Sequence, residues 1–389
     1  MVQVSQSRVR SLLTRWTVWA PILALVPLPF TWGKHIGPAW IAIVAILLGA
    51  SVLAAVHHAE VVAHRVGEPF GSLVLAVAVT VIEVALIVTL MVSGGSDAST
   101  LARDTVFSAV MITCNGIVGI SLLVGAIRHD TVTFNAEGTG AALACVLTLA
   151  TVCLVLPTFT SSVSGPEFSG SQLTFAAIAS LALYGLFVVT QTVRHRDFFL
   201  PVAREDYRPL AVGSTGGAGP VDDPSTQEYD GEHADPPSNR EALLSLGMLL
   251  VSLVAVVGLA KVESKPIEDG VGALGLPHSF VGVIIALLVL APETLAAVNA
   301  AQRDRLQISL NLGYGSAMAS IGLTIPVIAL ASIWLPTPLH LGLGSTQIVL
   351  LAITAAVGIL TIVPGRATRL QGGIHLVLLV AFVFLAANP

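Results

Sequence analysis

Two glutamates, Glu83 and Glu293, each stand deep inside a long apolar run, LAVAVTVIEVALIVTLMV and FVGVIIALLVLAPETLAAV. A carboxylate is costly to keep at such depth, and an acid retained there marks a functional site by default. Two carboxylates meeting in a low-dielectric cavity suit one chemistry well, because their oxygens hold a hard cation or hold protons instead. The two occupancies exclude each other, so such a pair titrates as one coupled unit and binding of the cation displaces protons. That is the thermodynamic core of cation/proton exchange. Hydroxyl, amide and carbonyl oxygens would complete the shell, and the neighbourhood offers Thr80 one turn before Glu83, Asn115 in TCNG and Ser316 in GYGSAMAS. Pro292 removes a backbone hydrogen bond beside Glu293 and can free carbonyls as ligands.

Each of these residues also has a plainer reading. Glu83 could be a structural hydrogen-bonding acid, and Glu293 an interfacial one if its helix ends near Pro292 ahead of Arg303 and Arg305. Asn115 and Ser316 serve equally as interhelical hydrogen bonders, and Thr80 can bond its own helix backbone. Glu60 and Glu68 flank one membrane boundary beside His57, His58 and His64, where solvated charge is the default and the histidines could tune a response to pH near neutrality.

The elements that must position the glutamates are transmembrane helices. Hydrophobic residues make up 54% of the chain and charged residues 11%, mean hydropathy is +0.87, and apolar windows of about 20 residues recur. Spans are expected near Trp16 to Trp32, Pro38 to Ala59, Pro69 to Ser93, Thr105 to Ile127, Gly138 to Pro157 and Gln172 to Val193, then Glu241 to Ala260, His278 to Val298, Leu306 to Trp334, Leu343 to Val363 and Leu370 to Ala387. The expected fold is an all-α membrane protein of about eleven helices. The first run follows Arg8, Arg10 and Arg15 without a small-residue cleavage site and reads as a retained helix. Cys114, Cys145 and Cys153 all fall in apolar runs and read as small packing residues. The net charge of −5 carries no nucleic-acid signal.

Orientation follows from the basic residues. With eleven spans, 14 of the 18 Lys and Arg fall on one side and only Lys34, Arg103, Lys261 and Lys265 on the other. Positive residues gather in cytoplasmic loops, which sets the amino terminus inside and the carboxyl terminus outside. The stretch Arg204 to Arg240, rich in Gly, Pro, Ser and acids (Asp222, Asp223, Glu228, Asp230, Glu232, Asp235), reads as a disordered cytoplasmic linker.

The linker separates two groups of five helices after the first, and because five is odd the second group enters the membrane from the opposite side, as an inverted repeat. A shift of 210 residues pairs Glu83 with Glu293, Phe70 with Phe280, and Ser72 with Gly282. The expected organisation is therefore an N-terminal segment and first helix (1–37), a first repeat (38–193), the linker (194–240) and a second repeat (241–389).

At these residues the chain resembles the calcium/cation:proton antiporter superfamily (CaCA, CAX), in its ChaA-type sodium/calcium:proton branch. The elements that carry the resemblance are HHAEVVAHRVGEPFGSLVLAVAVTVIEVALIV, RDTVFSAVMITCNGIVGISLLVG, QTVRHRDFFLP and APETLAAVNAAQRDRLQISLNLGYGSAMASIGLTIPV. The resemblance implies two alpha-repeats, around 60–125 and 278–330, whose glutamates bind the cation at mid-membrane. These correspond to Glu83 and Glu293, with Asn115 and Ser316 where the following helices supply polar ligands and Glu60 matching a further acid of the motif. TVIE and LAPE stand here where the wider family has Gly-Asn pairs.

The function expected is an alternating-access antiporter of a bacterial inner membrane, exchanging Ca2+ or Na+, with K+ a further candidate, for protons. Its partners are inorganic cations, protons and the lipid bilayer, with no nucleic acid and no cofactor. The rival readings are a cation channel, a cation exchanger not coupled to protons, and a membrane hydrolase, the last opposed by the lack of GxSxG or HExxH motifs.

Overall fold

The computed structural model describes residues 16–34, 36–67, 70–93, 95–202, 237–334 and 338–389. Most of the acidic linker, together with Glu68 and Pro69, lies outside the described residues. The described chain is almost wholly helical. A short apolar helix, α1 (Trp16–Thr31), is followed by ten helices long and apolar enough to cross a membrane. These are α2 (Pro38–Val66), α3 (Phe70–Ser93), α4 (Ala98–His129), α5 (Ala136–Phe159), α6 (Gly170–Arg194), α7 (Asn239–Ala273), α8 (Phe280–Gln302), α9 (Leu306–Ala331), α10 (Ser345–Ile362) and α11 (Arg369–Ala387).

Local sequence sets many of the boundaries. Pro38 takes the first turn of α2, where its missing N–H costs nothing, and Gly67 ends the helix at φ +76°, a conformation that favours glycine. Asn135 caps α5 by accepting from the Glu137 and Gly138 amides, and Ser238 with Glu241 forms a capping box on α7. Several boundaries differ from the hydropathy reading, among them the start of α4, at Ala98 rather than near Thr105, and the end of α8, at Gln302 rather than near Val298. α1 breaks after Leu25 and resumes at Leu28, because Pro27 cannot donate to the preceding turn. α2 runs on past Ala59 to Val66, and α7 past Ala260 to Ala273. In both, polar and charged residues lower hydropathy while the helical backbone continues.

Contacts between helix ends sort the loops into two faces. On one face Arg65 of α2 donates to Asn239 at the start of α7, Arg128 of α4 to the Gln302 carbonyl at the end of α8, and Arg369 at the start of α11 pairs with Asp130 at 2.9 Å. The short strands Val132–Thr133 and Arg366–Ala367 pair antiparallel on that same face. On the other face the His340 amide donates to the Ser99 carbonyl and Thr158 to Leu343. The arginine-rich loops share the first face, and α3 and α8 run in opposite directions.

Packing repeats between the halves. α2 lies along α7, α4 packs on α11, and α9 on α6. Close approach at the latter two needs glycine. A Cβ at Gly372 would meet the Leu123 amide at 2.6 Å, and one at Gly322 would meet the Tyr184 Cβ at 2.8 Å.

Candidate functional site

Phe70 and Phe280 each open their helices, so Glu83 and Glu293 are both the fourteenth residue of oppositely directed helices, about 20 Å from the first residue at 1.5 Å per residue. Both are buried, at 4% and 7% exposure. The Ser320 hydroxyl on α9 donates to Glu83 Oε1 at 2.6 Å. One turn further on, the fully buried Thr324 hydroxyl makes no hydrogen bond among the described residues and neighbours the same carboxylate. Glu293 Oε2 is likewise buried without a hydrogen-bond partner among the described residues, and its electrostatic neighbours are Glu60 and Glu83. Buried polar atoms normally find partners, so an orphan carboxylate oxygen beside other acids marks a place where a ligand is expected.

Two spaces meet here. A cavity of about 10 Å³, close to the least that admits one water molecule, is lined by Thr80, Glu83, Ala109, Ala286, Ser316 and Ser320. A pocket of about 330 Å³ reaches Glu293 between the arginine-face halves of α3, α6, α8 and α9, with Gln191 and Asn311 in its wall. Val79 and Ser316 line both. Pro292 leaves the carbonyl four residues back, that of Leu288, without its helical donor. Among the described residues no three His, Cys, Asp or Glu side chains cluster as a ready metal site. The donors on offer are instead two carboxylates with hydroxyl and carbonyl oxygens, a set suited to hard cations and protons.

The structure brings Thr80 and Ser316 to the glutamates. It does not bring Asn115 there. That side chain is fully buried on a π-helical turn of α4, Ile112–Ile117, donating to Thr354 on α10 at 3.0 Å and bonding His375 on α11 at 3.2 Å. His375 in turn meets Thr361. Asn115 thus fastens α4 to α10 and α11. His58 binds the Thr17 carbonyl of α1 through Nε2 at 3.1 Å, with the His57 ring edge-on at 5.6 Å, which ties α2 to α1.

Sequence reading overlooked Ser320 and Thr324, although Ser316, Ser320 and Thr324 recur every four residues and so share one face of α9. It also overlooked Gln191, Asn311 and Glu263. The last is only 2% exposed, with Oε1 unpartnered among the described residues, on the part of α7 beyond the expected boundary.

A two-fold helical bundle with carboxylates buried at its centre, reached by a pocket from one face, defines a multi-pass membrane transporter rather than an enzyme. The chain belongs to the sodium/calcium exchanger protein family, whose profile matches residues 36–193 and 244–388. It is 43% identical to y4hA of Sinorhizobium fredii over 343 residues, covering 88% of this chain and 87% of that one. It is 33% identical to the sodium-potassium/proton antiporter ChaA of Escherichia coli, with 93% of each chain covered. The fold matches that of YfkE with a TM-score of 0.69 at 15% identity, covering 96% of this chain and 99% of that one.

Proposed function

We propose that the chain is a secondary antiporter that exchanges a cytoplasmic cation for protons by alternating access at Glu83 and Glu293. The observation that carries this reading is the pair itself: two buried carboxylates on oppositely directed helices, joined through the hydroxyl-lined space at Ser316, with one Glu293 oxygen unpartnered among the described residues. A proton or a cation satisfies that oxygen equally, and the two cannot occupy it together. Inverted repeats over 38–193 and 241–389, joined by a cytoplasmic linker at 194–240, supply two related gates. Ca2+ and Na+ are the leading cargoes. K+ joins them because the Escherichia coli relative is named for sodium and potassium, while a relative from Aphanothece halophytica, 23% identical, is named a Ca2+/H+ antiporter. The inner membrane of a bacterium, with the amino terminus in the cytoplasm, fits the distribution of arginines.

Everted or reconstituted vesicles carrying an internal pH dye, challenged with Na+, K+ or Ca2+, test this. Parent protein gives cation-evoked proton movement, and Glu83→Gln and Glu293→Gln each abolish it. Movement that survives either substitution overturns the site. Cation flux without a pH change identifies a channel or an exchanger not coupled to protons.

A further inference from the structure

α7 carries a buried acid that the paired site leaves idle. Glu263 is 2% exposed, and its Oε1 has no hydrogen-bond partner among the described residues. It continues the inward stripe of its helix, Ser252, Val256 and Leu259, all buried at steps of three or four residues. Lys265, two residues on, is 67% exposed. A carboxylate kept for packing alone would be bonded, since an unpaired buried polar group is costly. Pro266 adds a second free acceptor. Its missing N–H leaves the Val262 carbonyl without a helical donor, as Pro292 does for Leu288 beside Glu293.

The place of Glu263 in the fold says what such an acid could serve. α2 and α7 pack along each other and run in opposite directions, because Arg65 near the end of α2 meets Asn239 at the start of α7. Glu60 is the twenty-third residue of α2 and Glu263 the twenty-fifth of α7. The 203 residues between them fall seven short of the 210 that relate Glu83 to Glu293, and seven residues make about two helical turns, which keeps the acid on the same face. The two acids therefore stand toward opposite ends of the bundle. Glu60 lies six residues before the arginine-face end of α2, and Glu263 ten before the far end of α7. Glu60 is exposed and is an electrostatic neighbour of Glu293. Glu263 lies about 36 Å along α7 from the arginine face, beyond the roughly 20 Å of Glu83 along α3, on which α7 also packs. Toward the far end the helices packed on α7, which are α1, α2, α3 and α8, carry no charged side chain among the described residues. The charges at that level are those of α7 itself, Lys261, Lys265, Glu268 and Asp269, with Lys34 and His278 in the adjoining connections.

We propose that Glu263 is the ion-accepting acid of the face opposite the arginine-rich loops, the counterpart of Glu60, holding the cation or a proton between that face and Glu83. A carboxylate beside a freed carbonyl suits hard cations and protons. The proposal rests on the antiport reading above.

The test measures the half-saturating concentration of Na+, K+ and Ca2+ for proton movement in right-side-out and in everted vesicles carrying the full-length protein. By the distribution of arginines, the added cation meets the far face in the first and the arginine-rich face in the second. Glu263→Gln is expected to raise the value about tenfold or more in right-side-out vesicles and to leave it within about twofold in everted ones. Glu60→Gln should do the reverse, and Glu263→Asp should stay near the parent in both. A Glu263→Gln value unchanged in both preparations, or shifted equally in both, overturns the proposal; a lowered thermal midpoint with unchanged values makes the residue a structural acid and does the same. If Glu263→Gln does not fold, the parent supplies the measurement. Modification of Glu263 by a hydrophobic carbodiimide, read on its peptide by mass spectrometry, should be slowed by cation added to right-side-out vesicles and not by cation added to everted ones, and any other pattern overturns the proposal. Glu83→Gln separates the two readings. Transport that survives it overturns the antiport site and this role together, whereas an indifferent Glu263→Gln beside an inactive Glu83→Gln overturns this role alone.

Discussion

Gly282 is the point at which a single methyl group should separate packing from transport. A Cβ built there would sit 2.7 Å from both the Asp104 carbonyl carbon and the Thr105 amide nitrogen of α4, where ordinary contact begins at 3.4 Å. Backbone cannot swing aside, so α8 must retreat by at least the 0.7 Å between those distances. The same helix carries Glu293, while Ala286, Val289 and Leu290 wall the cavity of about 10 Å³ beside Glu83. Functional constellations tolerate displacements of about 0.5 Å, so the retreat exceeds what the site can absorb. Overpacking costs about 1–3 kcal/mol, offset by about 0.5–1 kcal/mol from replacing glycine in a helix. Gly282→Ala is therefore expected to fold with a lowered thermal midpoint and to raise the half-saturating cation concentration about tenfold or more in the vesicle assay. Gly185→Ala is the control, because a Cβ there meets nothing within 4 Å. It should match or exceed the parent in stability and transport normally. If Gly282→Ala behaves like Gly185→Ala on both counts, the argument that helix spacing at α4 and α8 sets the site is refuted.

Three further outcomes follow from named contacts. Ser320→Ala removes the 2.6 Å donor to Glu83. Hydrogen bonds to charged groups are worth about 1.5–3 kcal/mol, so the half-saturating cation concentration should change by about ten- to a hundredfold, and an unchanged value would show the hydroxyl idle during turnover. His58→Gln breaks the bond to Thr17 and should lower the thermal midpoint by the equivalent of about 1 kcal/mol while leaving the pH profile of transport alone; a shifted profile would restore the histidine to a sensing role. Asn115→Ala and His375→Leu, combined in a double-mutant cycle on thermal stability, should be non-additive by about 0.5–3 kcal/mol because the two side chains bond each other, and additive losses would deny the network.

The helix count, the opposed directions of α3 and α8 and the matched positions of the glutamates were legible, because each depends on hydropathy, charge or spacing within a single segment. Glu83 and Glu293 stood out for the same reason, being acids where lipid-depth segments rarely keep them. Asn115 shows where that legibility stops. Its type and its burial were readable in TCNG, but which helix it meets depends on the rotation of α4 about its axis and on α10 and α11, more than 200 residues away. Ser320 and Thr324 failed differently. Their four-residue spacing from Ser316 puts all three on one face of α9, but a hydroxyl on a helix bonds its own backbone as readily as a carboxylate across the bundle. The end of α7 was obscured by Lys261, Glu263 and Lys265, which lower hydropathy without breaking backbone hydrogen bonds.

The two glutamates occupy equivalent positions and yet have unequal surroundings. Glu83 holds a serine hydroxyl in a cavity barely large enough for water, while Glu293 borders a pocket of about 330 Å³ with an oxygen unpartnered among the described residues. The difference follows from the residues that face each acid, Ser320 and Thr324 of α9 beside Glu83 and Glu60 of α2 beside Glu293. A second pocket, of about 280 Å³, lies toward the opposite face between α4, α8, α10 and α11. Its wall includes Phe107, Ser108 and Val283, each within one helical turn of Ala109 or Ala286 in the Glu83 cavity. The carboxylates thus stand between two pockets on opposite faces, with Glu293 bordering the pocket on its own side and Glu83 separated from the other by about one turn of α4 and of α8. By the alternating access proposed above, an exchange of conformation between the halves would open the second pocket to the pair and close the first.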